Sequence, residues 1–148
     1  MSAFEPLRRK QNGQPVRFLI VDDSVFARKS IARMVESFGG EVAGEAGDGC
    51  TAITEYARTR PDMVLMDITM PNMEGIEAVE HIMHQDPEAR VVMVSSVGYQ
   101  ENILAALQKG ARHFVQKPVK AETLYEVLRF VLDQEAAAPV AAQGSNPR

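Results

Sequence analysis

The sequence has 148 residues, 45% hydrophobic and 24% charged, which fits one soluble globular domain with a core of its own. A formal net charge of -4 excludes the basic footprint of a general nucleic-acid binder, and no apolar run approaches about 20 residues, so no membrane span is expected. The single cysteine, Cys50, rules out an internal disulfide and suits a reducing cytoplasm.

Residues 1–16 are polar, carry Gly13 and Pro15, and read as a flexible arm. No apolar stretch follows their basic cluster Arg8-Arg9-Lys10, as a secretory signal would require. The run over 17–21 predicts a first strand, closed by Asp22 and Asp23. A helix over 24–38 follows, with Ala27, Ile31, Met34, Val35 and Phe38 on one face and Gly39-Gly40 at its end. A weaker second strand is expected over 41–46. The second helix, over 50–59, turns Ile53, Tyr56 and Ala57 inward and stops before Pro61. The third strand, 63–67, ends in Asp67, and its helix follows Gly75 with the stripe Ile76, Val79, Ile82 and Met83. The fourth strand, 91–95, ends in Ser95-Ser96, and a helix over 100–109 is closed by Gly110. The fifth strand, 113–116, runs into Lys117-Pro118. The last helix, 121–133, carries Leu124, Val127, Leu128, Val131 and Leu132 at a period of 3.6. Residues 134–148 have no packing pattern and read as a disordered tail.

Five strand–helix units of this length predict an α/β fold with a parallel sheet between two layers of helices. The third and fourth strands are apolar without alternation, as strands covered on both faces should be. The expected arrangement is the flavodoxin-like (βα)5 three-layer sandwich with strand order 2-1-3-4-5. In that order the first and third strands are neighbours at the switch point, so Asp22, Asp23 and Asp67 meet at the carboxyl edge, where open sheets bind ligands.

Three carboxylates in one crevice repel one another unless a cation or protons intervene. Magnesium suits such a place, because it takes oxygen ligands and bridges carboxylates to phosphate oxygens. A carboxylate can also be a nucleophile that forms an aspartyl phosphate. Lys117 could supply positive charge to phosphoryl oxygens, and Ser95 a hydroxyl donor. Each residue alone has a plainer reading. Asp23 could cap the first helix, Ser95 or Ser96 could cap the fourth, and Lys117 could be solvated. One such residue at the end of each of four strands, all on one edge, favours the chemical reading.

The stretches LIVDDS at 19–24, AGDG at 46–49, VLMDITMPNMEG at 64–75, MVSS at 93–96 and FVQKP at 114–118 resemble the receiver domain of two-component response regulators, over about 17–133. Free-standing chemotaxis members of that family are the most similar. The resemblance implies that Asp67 is the phosphoacceptor and that Asp22 and Asp23 hold Mg²⁺ together with Asp67 and the backbone carbonyl of Thr69. It makes Ser95 the switch hydroxyl and Lys117 the lysine that contacts the phosphoryl group. Phe114 takes the switch-aromatic position, without the hydroxyl of the tyrosine that many chemotaxis regulators carry there. Pro118 matches a proline preceded by a cis bond. Thr69 and Val97 stand two positions beyond the acceptor and the switch hydroxyl, and neither is acidic or an amide.

The function so implied is a single-domain response regulator with no output domain after residue 133. A histidine kinase donates the phosphoryl group, and the output is protein binding on the face of the fourth helix, fifth strand and fifth helix. The partner would be a flagellar motor switch protein in chemotaxis, or a phosphotransfer protein if the chain is a phosphorelay intermediate. Nucleic acid and membrane are not expected partners, and the chain is not expected to be a turnover enzyme. A phosphohydrolase with Asp67 as nucleophile would want a second aspartate at 69, where Thr69 stands. An FMN protein would need a Ser/Thr/Gly-rich loop after the first strand, where Asp22-Asp23-Ser24 stand.

Overall fold

The structure, a computed structural model, describes residues 4–70, 73–96 and 100–134. Val97 and the tail from 135 onward lie outside the described residues. Strands and helices alternate as β1 (Arg17–Val21), α1 (Val25–Ser37), β2 (Glu41–Ala46), α2 (Gly49–Thr59), β3 (Met63–Asp67), α3 (Gly75–Gln85), β4 (Val91–Ser95), α4 (Gln100–Gln108), β5 (His113–Gln116) and α5 (Ala121–Asp133). The five strands form one parallel sheet in the order β2-β1-β3-β4-β5, as the pattern of units predicts. No described helix is long and apolar enough to cross a membrane.

Neighbouring side chains on a strand point to opposite faces, and both faces here are covered. Phe18, Ile20, Leu65, Val92, Val94 and Val115 pack toward α1 and α5, against Ile31, Val35, Leu124, Leu128 and Val131. Leu19, Val21, Val64, Met66, Val91 and Met93 pack the other way, against Ala52 and Tyr56 of α2, Val79 and Ile82 of α3, and Ala106 of α4. All residues of β3 and β4 are therefore buried, while β2, at an edge, is mostly half-covered.

Local chemistry sets the helix ends. Ser24, not Asp23, caps α1, accepting the Ala27 N–H at 3.1 Å, which leaves the Asp23 carboxylate available. Asp48 caps α2 through the Thr51 N–H at 2.7 Å. After α1 the chain reverses at Gly39, whose φ of +84° favours a residue without a Cβ. The inward face of α2 is Ala52, Tyr56 and Thr59, with Ala57 exposed, so the predicted face is rotated. A Tyr56 hydroxyl bond to Asp86 at 2.8 Å ties that face to the end of α3.

Composition predicts a flexible arm over 1–16, and the structure differs for residues 4–16. Arg8 and Pro15 pair in an antiparallel bridge, the Leu7 N–H donates to the Phe38 carbonyl at 2.8 Å, and Leu7 and Val16 are fully buried. Phe4 meets Phe38 edge-on and Tyr125 at a tilt, and Arg9 pairs with Asp62 at 2.8 Å. The apolar residues of this segment are too sparse to form a helical or strand period, so periodicity could not reveal that they complete the core beneath α1 and α5.

Candidate functional site

Parallel strands all end on the same side, so the residue that closes each strand comes to one edge of the sheet. β1 and β3 are direct neighbours, with Val21 opposite Met66. Asp22 and Asp23 therefore project beside Asp67. Their carboxylate oxygens, one from each, all lie within 4.8 Å of one another, with Asp22 and Asp67 buried and Asp23 exposed. Oxygen donors at this spacing fit a small hard cation.

Lys117 enters from the end of β5. Its ammonium donates to Asp22 Oδ2 at 2.8 Å and stands 3.7 Å from Asp67 Oδ2. Burial alone would lower the Lys117 pKa, but its hydrogen bond to Asp22 and the charges of Asp67, Asp22 and Asp23 outweigh burial and raise it. Asp67 behaves oppositely. Burial, helped by the charge of Asp22, pushes its carboxyl up to about 6, against smaller opposing effects of Lys117 and of a backbone hydrogen bond from Thr69. One lysine thus does not neutralise three acids, and the remaining negative charge is what a divalent cation would compensate.

Ser95 ends β4 and is buried; its carbonyl accepts the Lys117 N–H at 2.6 Å, which couples the ends of β4 and β5. Phe114 lies on β5 opposite Met93, partly buried against the core. The Lys117–Pro118 bond is cis. Asp22, Asp23, Asp67, Ser95 and Lys117 thus sit on or beside this edge, while Phe114 lies further back along β5. Thr69 is present through its backbone N–H bond to Asp67.

Two residues of the site escape a reading of strand ends. Gly75 opens α3 beneath Asp67, and its N–H bonds the Ile68 carbonyl at 2.8 Å. A Cβ there would collide with the backbone carbonyl oxygen of Asp67. The signal was a glycine at the first position of a helix, where a packing reason is usual. Arg28, one turn into α1, donates to the Asp22 carbonyl at 2.6 Å. Its position four residues after the capping Ser24 puts it on the same helical face, but nothing in the sequence names its acceptor.

Comparison with known proteins gives the family. A family model described as the response regulator receiver domain matches residues 18–129. The chemotaxis protein CheY of Listeria monocytogenes is 42% identical over 113 residues, 76% of this chain and 95% of that relative. CheY of Thermotoga maritima is 42% identical over 115 residues, 78% of this chain and 96% of that relative. Among solved structures, the CheX-CheY-BeF3-Mg²⁺ complex from Borrelia burgdorferi superposes with a TM-score of 0.82 at 35% identity, covering 86% of this chain and 96% of that one. With a family match over residues 18–129 and relatives 42% identical over nearly their whole length, the chain belongs to the response regulator receiver domain family.

Proposed function

We propose that this chain is a response regulator that takes a phosphoryl group from a histidine kinase on Asp67 and signals through phosphorylation-dependent protein binding in chemotaxis. The observation that carries the reading is the convergence of Asp22, Asp23 and Asp67 with the Lys117 ammonium at one sheet edge. The similarity to proteins named CheY supports the chemotaxis part, and the Mg²⁺ of the Borrelia burgdorferi CheX-CheY complex supports the choice of metal.

In this reading Asp22, Asp23, Asp67 and the Thr69 carbonyl hold Mg²⁺. Bound there, it would supply positive charge to the phosphoryl oxygens, so that an anionic nucleophile could approach an anionic donor. An Asp67 carboxylate oxygen forms a bond to phosphorus as the phosphorus–nitrogen bond of the donor's phosphohistidine breaks, and the electron pair and a proton stay with the imidazole. Lys117, held at 2.8 Å by Asp22, moves its charge to the new phosphoryl group. Ser95 donates to the same group, drawing the end of β4 inward.

The output runs through Phe114. Its neighbour His113 stands 5.8 Å from the Phe114 ring and meets Phe130 of α5 edge-on at 5.7 Å. Phe130 and Leu104 of α4 are large hydrophobics left about half exposed, as a protein-binding surface on α4, β5 and α5 would be. The occupant of that surface in this reading is a flagellar motor switch protein.

The test is uptake of label from a small-molecule phosphodonor, with Mg²⁺ and with excess chelator, in wild type and Asp23→Ala. Uptake should require the metal and should fall strongly in the variant. Equal uptake with and without chelator would contradict a metal-dependent acceptor.

A further inference from the structure

We propose that Arg28 is a positioning residue for the cation-binding acid pair, acting through the backbone of Asp22. The inference rests on the reading of Asp22 and Asp23 as cation ligands.

Asp22 is the first residue after β1 and must hold a fixed place, because its two carboxylate oxygens already have different duties. Oδ1 accepts the Ser24 N–H at 2.9 Å, and Oδ2 accepts the Lys117 ammonium at 2.8 Å. Its N–H donates to the Ala46 carbonyl at 3.0 Å, which fixes it to the end of β2. Its own carbonyl accepts Nη1 of Arg28 at 2.6 Å.

The guanidinium is itself anchored. Nε of Arg28 donates to Glu45 Oε1 at 2.9 Å, and Glu45 lies on β2, opposite Ile20 of β1. The backbone of Arg28 bonds Ser24, the cap of α1, at 3.0 Å. One side chain thus joins the first turn of α1, the end of β1 and the edge strand β2 through the backbone of Asp22. The Arg28 side chain is 17% exposed and its bond to the Asp22 carbonyl is partly buried, whereas the Glu45 carboxylate that anchors it is 42% exposed. Arg28 donates to the carbonyl and not to the acid group of Asp22, so it can orient the pair without occupying the oxygens a cation needs.

A planar fork with donors on different edges suits this double contact, whereas a lysine ammonium at the end of a flexible stem would not reach both acceptors in the same geometry. Neighbours that orient the ligands of a metal are worth about 10-fold or more in metal affinity. Loss of the fork should therefore appear in metal binding.

The experiment is Mg²⁺ titration by calorimetry at fixed pH on wild type, Arg28→Ala, Arg28→Lys, Glu45→Ala and Glu45→Gln, with thermal unfolding in chelator run on each. Arg28→Ala and Arg28→Lys should lose about 10-fold in Mg²⁺ affinity. Glu45→Ala should lose part of it, and Glu45→Gln, whose amide oxygen still accepts from Nε, should recover most. Wild-type affinity in both Arg28 variants overturns the positioning role while leaving the cation site intact. An affinity loss in Arg28→Ala that Arg28→Lys fully restores overturns it too, since charge alone would then suffice. A wild-type chain with no affinity for Mg²⁺ would instead overturn the cation reading on which the proposal stands.

Discussion

Asp67 stores the conflict on which the site runs. In the unfolded chain its carboxyl titrates near 3.8, and in the fold burial beside Asp22 lifts it to about 6. Between those values the folded protein binds more protons than the unfolded one, so stability falls as pH rises. The contribution of the neutral acid is complete below pH 4 and is lost as pH rises through about 6. Asparagine has the shape of the neutral acid and does not titrate. Asp67→Asn, compared with wild type in the presence of chelator, should be more stable at pH 8 by on the order of 1–3 kcal/mol, with the gap closing below pH 4. Denaturant unfolding at several pH values measures this; a gap that does not change with pH would show that Asp67 is not strained by its neighbours. The acids and Ser95 were legible in the sequence because they close apolar runs, and Lys117 because only Gln116 separates it from Phe114-Val115. Arg28 was not, since its acceptor is a backbone carbonyl that only folding brings near.

Helices and strands were legible wherever apolar spacing was strong. The five-residue stripe of α5 is buried as predicted, because each of its members faces the same sheet. The face of α2 was misjudged by part of a turn: tertiary contact selected the small Ala52 and the back-bonded Thr59 over Ala57. The segment over 4–16 was misjudged more fully, since its fully buried residues, Leu7 and Val16, stand too far apart to show a period. That segment makes its own prediction. Leu7 is fully buried in the cluster that contains Val16, Phe38 and Leu128. Leu7→Ala should therefore cost about 2–5 kcal/mol, as deep leucine truncations do, whereas a solvated arm would lose almost nothing. Chemical denaturation of the two proteins decides between these outcomes.

At the scale of the molecule, the sheet is a rigid frame whose strand ends bring residues from 22 to 117 to one place. A phosphoryl group added there brings about 1.5–2 negative charges at neutral pH, next to a lysine already leaning between two acids. In the proposed mechanism the charge shifts a pre-existing balance of conformations at β4, Phe114 and the exposed side chains of α4 and α5, and does not build a new fold. All of this depends on where the phosphoryl group goes. The most direct measurement is mass spectrometry of proteolytic fragments after treatment with a small phosphodonor and Mg²⁺. A single phosphoryl addition on the fragment that holds Asp67, absent from Asp67→Asn, is the predicted result. Undiminished addition in Asp67→Asn, or addition at a residue away from this edge, would contradict the account.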